Sequence, residues 1–186
     1  MSYNEVLNDG RERMEKSLGH LKDQMNRIRT GRASSALVDN IRVDYYGTPT
    51  PISQLGAISI PEPRQILIKP FDASILKEVS KAILQTDLGS SPQDDGKVIR
   101  LTLPPLSGEQ RKKYSAKVKE MCEETRVALR NTRRELNKHS DTMKKDGDLT
   151  EDENKKLHDD IQGLLKDYEA KVDEVMKAKV AEIEEV

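Results

Sequence analysis

Apolar residues recur at helical spacing in three long stretches of the chain. In residues 4–29 a seven-residue repeat with an interleaved second position is broken only at Arg11; its members are Leu7, Met14, Leu18, Leu21, Met25 and Ile28. A second repeat runs from residue 107 to about residue 145, and a third begins near residue 150 and continues almost to the end of the sequence. Repeats of this kind are typical of amphipathic helices that pack along one another. The pattern predicts a three-helix bundle.

The second repeat also predicts which face of its helix is buried. Its members alternate by four and three residues: Tyr114, Val118, Met121, Thr125, Ala128 and Thr132, with Leu129, Leu136 and Met143 widening the stripe. Two capping boxes, Ser107 with Gln110 and Thr150 with Glu153, predict where the second and third helices begin.

Residues 31–106 have short alternating runs and turn residues instead of long repeats. Ile41, Val43 and Tyr45 alternate with polar residues, and further strand candidates lie at 57–60, 65–69 and 97–103, with one short helix near 74–84. The expected fold class is therefore α+β with two domains. Residues 1–30 and 106–186 form the long three-helix bundle, and residues 31–105 form a small inserted β/α/β domain.

Two segments, residues 30–33 and 103–106, connect the insertion to the bundle. Gly31, after Thr30, loosens the backbone, while Pro104 and Pro105 stiffen it and lack amide donors. A hinge is one interpretation. The other is that Gly31 only ends the first helix and the prolines only keep the next helix from starting early. The two interpretations are compatible.

Charge is unevenly distributed in a chain whose net charge is only -1. Residues 107–150 carry twelve basic and eight acidic side chains, whereas residues 151–186 carry six basic and twelve acidic ones. One face of a nearly neutral protein can therefore attract polyanions.

The basic excess centres on four arginines of the second helix: Arg126, Arg130, Arg133 and Arg134. In the predicted helix register all four point outward, away from the buried stripe, and Lys138 follows them. A solvated face is the ordinary explanation of a charge run. Guanidinium groups, however, suit bidentate contacts with phosphate, which favours a nucleic-acid partner. Arg27, Arg29 and Arg32 form a second basic cluster near the proposed hinge.

Other functions find little support in the residues. His139, Ser140 and Asp141 are adjacent on a helix and cannot converge as a catalytic relay. A single cysteine, Cys122, excludes an intrachain disulfide. We expect no catalytic residues, metal or cofactor. With no apolar stretch of spanning length and no leader-like start, we expect a cytoplasmic protein without a membrane contact.

Four short motifs, in order, resemble the bacterial-type ribosome recycling factor family: residues 28–34 (IRTGRAS), 44–51 (DYYGTPTP), 103–106 (LPPL) and 130–134 (RNTRR). The family is known for an L-shaped, tRNA-like molecule with a helical long arm and an inserted short arm. Ser107–Gln110 and Ser90–Ser91 depart from the usual family residues, outside the arginine stripe.

The resemblance implies a non-enzymatic translation factor. It would bind the post-termination ribosome and, with elongation factor G and GTP, separate the subunits. Contacts with large-subunit ribosomal RNA are expected from Arg133 above all, then from Arg130, Arg29 and Arg32; Arg126 and Arg134 follow more from the charge stripe. Thr30, Gly31, Pro104 and Pro105 would form the hinge. We expect a monomer, because three apolar stripes in one chain satisfy each other; a coiled-coil adaptor that uses these stripes for partners is the rival hypothesis.

Overall fold

The computed structural model describes residues 2–185 and contains three long helices. They are α1 (Tyr3–Asn26), α4 (Gly108–Asp146) and α5 (Glu151–Glu184). Both predicted capping boxes are present. Ser107 and Gln110 exchange hydrogen bonds of 3.0 and 3.2 Å, and Thr150 and Glu153 exchange bonds of 2.8 and 3.2 Å. Each box satisfies backbone donors that a helix start would otherwise leave unpaired.

Between α1 and α4 the chain forms six strands and two shorter α-helices. The strands are β1 (Arg42–Tyr45), β2 (Thr48–Pro51), β3 (Gly56–Glu62), β4 (Gln65–Pro70), β5 (Gln93–Asp94) and β6 (Ile99–Thr102). The helices are α2 (Ile52–Leu55) and α3 (Leu76–Leu84). Single 3-10 turns lie at Ser35–Leu37 and Ala73–Ile75.

The chain divides into two compact units. The first contains residues up to Met25 and from Lys113 onward, and the second contains Asn26–Lys112. The α+β class is confirmed: one unit is a helical bundle and the other is a small sheet unit with strands on both sides of α3 in sequence. The sheet unit begins at Asn26, five residues before the predicted start at residue 31. It ends at Lys112, seven residues after the predicted end at residue 105.

The helical unit is held together by apolar stripes that face one another. One core cluster joins Val6 of α1, Leu136 and Met143 of α4, and Leu157 and Ile161 of α5. Polar contacts continue across the helix pairs: Tyr168 of α5 donates a 2.7 Å hydrogen bond to Glu15 of α1. The three stripes are therefore buried against each other within the unit.

The buried stripe of α1 departs from the predicted repeat near its start. Val6 and Gly10 are buried, whereas the sequence pattern placed Leu7 and Arg11 on that face. The stripe advances by four residues from Val6 through Gly10 to Met14, and alternates by three and four later. Arg11 interrupted the repeat because the buried position at that level belongs to Gly10.

The sheet unit has its own core. Strands β3, β4, β6 and β5 form a four-stranded antiparallel sheet in that order, and β1 pairs with β2 in a separate hairpin. Alternating residues such as Ile66 and Ile68 on β4, and Ile99 and Leu101 on β6, are fully or almost fully buried. The apolar side of α3 (Leu76, Val79, Ile83) belongs to the same cluster. Period-two alternation on the strands and helical spacing on α3 together produce this core.

Candidate nucleic-acid interface

The buried face of α4 is rotated from the one predicted. Its core residues are Val118, Cys122, Thr125, Leu129, Thr132, Leu136, Ser140 and Met143. Ala128 is exposed, and Tyr114 and Met121 are only half-buried, so the predicted stripe was wrong at these three positions. Leu129, Leu136 and Met143, which were predicted to widen the stripe, are buried, so the buried face is centred nearer to them than to Met121 and Ala128. The rotation brings part of the arginine stripe closer to α5.

Arg126 is a packing residue, contrary to the prediction that it points outward. Its side chain is only 19% exposed and lies between two ion-pair partners. One guanidinium nitrogen contacts Asp173 of α5, and another lies 3.2 Å from Glu123 one turn earlier on α4. The hydrogen bond with Asp173 is the main cause that raises the pKa of Arg126 above its ordinary value. Arg126 thus links α4 to α5.

Arg130 lies on the same flank but is more exposed. Its Nη2 is 2.6 Å from Oε1 of Glu123, and its side chain is 37% exposed. Glu123 therefore accepts hydrogen bonds from two arginines, which lower its pKa, Arg130 most and Arg126 next. An anion that binds Arg130 must compete with this carboxylate.

Arg133 is half-buried on the α5 side of α4. Its Nη1 donates a 3.2 Å hydrogen bond to Oε1 of Gln162 on α5. Its Nε is buried and has no hydrogen-bond partner among the described residues. The prediction that this side chain points away from the packed face is therefore wrong. Its partner, however, is a neutral amide and does not offset the charge of the guanidinium.

Arg134 is exposed, as expected. It donates a 3.3 Å hydrogen bond to Oδ1 of Asn131. The adjacent Glu135 forms an ion pair with Arg13 of α1 instead of neutralising Arg134. The exposed members of the stripe are therefore Arg134 and Lys138, and Arg130 is partly exposed.

Arg29 and Arg32 belong to the sheet unit, whereas the arginine stripe lies on α4 of the helical unit. Arg29 is only 9% exposed, and its Nη1 would lie 3.4 Å from a Cβ placed on Gly89. Arg32 is exposed. Burial against the Gly89 backbone makes Arg29 mainly a packing residue of the sheet unit.

Both connecting segments are hydrogen-bonded to one turn of the sheet unit. The Ala33 amide donates to the Pro63 carbonyl at 2.6 Å, and the Leu103 amide donates to the Arg64 carbonyl at 2.7 Å. Gly31 adopts φ +85°, a conformation that other residues rarely adopt. Thr30, Gly31, Pro104 and Pro105 all lie inside the sheet unit and not at its boundary.

The rejected catalytic motif has a structural role. The Ser140 hydroxyl is fully buried and lies 2.5 Å from Oδ1 of Asn154 on α5. Asn154 in turn donates to Asp141 at 3.0 Å. Within residues 2–185 there is no cluster of three or more potential metal ligands. In the same described part of the chain, no helix is long and apolar enough to cross a bilayer.

The partners of the arginines on α5 were not predicted from the sequence. Glu123, three residues before Arg126, lies at a helical spacing that indicates a pairing, and a partly neutralised stripe was the alternative that the sequence left open. Asp173 and Gln162 lie on α5, and their distance along the sequence gives no indication that they contact α4. Their contacts follow from the register of two packed helices.

The fold defines a two-unit class of protein. One unit is a helical bundle whose longest helix carries an arginine cluster, and it is joined to a small antiparallel sheet unit. A family model for ribosome recycling factor matches residues 21–183. A ribosome-recycling factor from Acetivibrio thermocellus is 49% identical over 94% of this chain and 96% of its own. Another, from Desulfosudis oleivorans, is also 49% identical and covers 97% and 98% of the two chains.

Solved structures agree. A solution structure of the ribosome recycling factor is 36% identical with a TM-score of 0.77, covering 100% of this chain and 99% of that one. A second structure gives models for the T. thermophilus ribosome recycling factor and the E. coli elongation factor G bound to the E. coli post-termination complex. The factor is 36% identical to this chain with a TM-score of 0.68, covering 98% of this chain and 99% of that one. The chain belongs to the ribosome recycling factor family of translation factors.

Proposed function

We propose that this protein binds the post-termination ribosome through large-subunit ribosomal RNA. Together with elongation factor G and GTP, it then promotes separation of the subunits. Family membership supports the role, and the related factor in complex with elongation factor G supports the partner. We further propose that it acts in the cytoplasm as a monomer.

The observation that carries the proposal is the charge left available on α4. Arg133 and Arg134 have only amide hydrogen-bond partners within the described chain, so neither charge is offset by an ion pair there. Guanidinium groups of this kind make bidentate contacts with phosphate oxygens. Phosphate contacts fix the position of a protein on folded RNA without reading its bases.

The remaining arginines contribute unequally in this proposal. Arg130 contacts RNA after exchanging Glu123 for a phosphate, and the exposed Arg32 adds a contact from the sheet unit. Arg126 and Arg29, both largely buried, mainly support the surfaces around them. Their loss should affect stability more than RNA affinity.

We propose that the protein itself performs no chemistry and that GTP hydrolysis belongs to its partner. The hydroxyl of Ser140 is buried and engaged with Asn154, which removes it as a nucleophile. The hinge is proposed to comprise Thr30, Gly31, Pro104 and Pro105, within residues 30–33 and 103–106. The hydrogen bonds of Ala33 and Leu103 hold the inner ends of both segments to the sheet unit.

The test is subunit splitting by purified full-length protein with elongation factor G and GTP. Arg133→Ala should reduce splitting at subsaturating concentrations, because a phosphate contact is lost. Arg11→Ala, which removes an exposed arginine from α1, is the matched control and should split normally. Equal splitting by wild type and Arg133→Ala would overturn the assignment of Arg133.

The rival coiled-coil adaptor is tested by sedimentation equilibrium. An adaptor that uses its helices for self-association would form a stable dimer. A monomer is expected because the apolar residues of α1, α4 and α5 already pack into shared clusters.

A further inference from the structure

The arginines of α4 divide by the charge of their partners. Arg126 and Arg130 pair with carboxylates, which offset part of their charge. Arg133 donates instead to the side-chain amide oxygen of Gln162. An amide oxygen accepts a hydrogen bond as a carboxylate does but carries no net charge. Arg133 is therefore held in position while its full charge remains available to an anion.

We propose that Gln162 is a positioning residue of the RNA-binding surface. It orients the Arg133 guanidinium toward a phosphate without neutralising it. This inference rests on the proposed function, because it concerns how Arg133 meets RNA.

Gln162 is important because it supplies the hydrogen bond that holds the Arg133 guanidinium. Within residues 2–185, Arg133 forms a hydrogen bond to Gln162, and its buried Nε has no partner. A long arginine side chain has many rotamers, and fixing it costs conformational entropy. Without Gln162, the Arg133 side chain would lose this conformational entropy only when RNA binds, and RNA affinity would be lower.

The backbone of Gln162 is well placed for this role. Ile161, its neighbour, is fully buried, and Leu165, one turn later, is 2% exposed. The amide oxygen therefore projects from a packed helix and not from a loop. Only this oxygen can accept from a guanidinium, so the contact also fixes the orientation of the amide. A binding side chain supported from a rigid element is held more exactly in place than one supported from a loop.

The test is Gln162→Glu in the full-length protein. Glutamate has nearly the same shape and still accepts the hydrogen bond, but it converts the contact into an ion pair. We expect the concentration for half-maximal ribosome splitting to rise roughly 10-fold, since hydrogen bonds to charged groups are the strong ones. The slope of log affinity against log salt should also fall by the amount that one phosphate contact contributes, as in Arg133→Ala. The maximal splitting rate at saturation should be unchanged.

Three controls make the result specific. Asn8→Asp adds the same charge at an exposed position of α1 and should bind normally. The double variant Arg133→Ala/Gln162→Glu should bind no more weakly than Arg133→Ala, because the charge on residue 162 then has no arginine to neutralise. Gln162→Ala should also weaken binding, though less than Gln162→Glu, and it carries the test if thermal unfolding finds Gln162→Glu misfolded.

Normal binding by Gln162→Glu, equal weakening by Asn8→Asp, or additive losses in the double variant would each overturn the inference. The proposed function fails differently: in that case the wild-type protein itself would not split post-termination ribosomes.

Discussion

A Cβ atom placed on Gly10 of α1 would lie only 2.6 Å from Cδ1 of Leu136 on α4. The two helices therefore approach at a point where a side chain on α1 would collide with the core. Glycine is otherwise unfavourable inside a helix, by up to about 1 kcal/mol relative to alanine. At Gly10 an added Cβ would force the buried Leu136 side chain to move.

Gly10→Ala should lower the free energy of unfolding by about 1 kcal/mol, because displacing the buried Leu136 costs more than the helix gains. Gly163→Ala, in α5, should raise it by up to about 1 kcal/mol, since nothing beyond the adjacent residues and the local backbone of α5 lies within 4 Å of the added Cβ. Urea unfolding monitored by circular dichroism measures both. If both variants were stabilised equally, Gly10 would have no packing role.

Arg126 should matter for stability more than for RNA binding. Arg126→Met keeps much of the aliphatic packing but leaves Asp173 without its cation, so we expect a loss of about 1 kcal/mol in unfolding free energy. Ribosome affinity should remain close to that of the wild type. Arg134→Met is the control: it should leave stability unchanged and weaken binding. Equal loss of affinity in the two variants would contradict the assignment of Arg126 as a link between helices.

The helical unit should lose stability at alkaline pH through two phenols. Burial is the main cause that raises the pKa of Tyr168 to about 12, and its hydrogen bond to Glu15 adds to the shift. Tyr3, which donates to Asp160, also has a pKa raised to about 12, again mainly by burial. Both groups favour the folded state while protonated, so their contribution is complete below about pH 10 and lost as pH rises toward 12.

A spectrophotometric titration of the folded protein should therefore contain two late-ionising phenols. Tyr168→Phe and Tyr3→Phe should each remove one of them and flatten the fall in stability over this pH range. A titration in which all five tyrosines of the chain ionise near pH 10 would mean that these hydrogen bonds do not persist in solution.

The two-domain plan was accessible from the sequence because helix repeats and capping boxes are local signals. Thr150 and Glu153 satisfy each other through four residues of contiguous chain, and no distant contact is needed to recognise them. The register of α4 was not accessible in this way. Met121 with Ala128 and Cys122 with Leu129 both fit the same alternation, and only packing against α1 and α5 decides between them.

The RNA-binding candidates show the same division between local and distant information. Their identity as a cluster was visible in the sequence, but their partners on α5 were not. The pairing of Arg126 with Asp173 joins residues 47 positions apart, and that of Arg133 with Gln162 joins residues 29 apart. Tertiary packing therefore decides which arginine links helices of the bundle and which has no carboxylate partner and can bind an anion.

Ribosome binding should weaken as salt rises, and the steepness should report which arginines contact phosphate. Each such contact releases condensed counterions and adds about 0.7 to 0.9 to the slope of log affinity against log salt. Arg130→Ala, Arg133→Ala and Arg134→Ala should each reduce the slope by roughly one contact, whereas Arg126→Met should not. Binding of full-length variants to post-termination ribosomes between about 50 and 200 mM salt measures this difference. A wild-type affinity independent of salt would exclude phosphate contacts as the basis of binding, and an unchanged slope in all three alanine variants would place those contacts elsewhere on the protein.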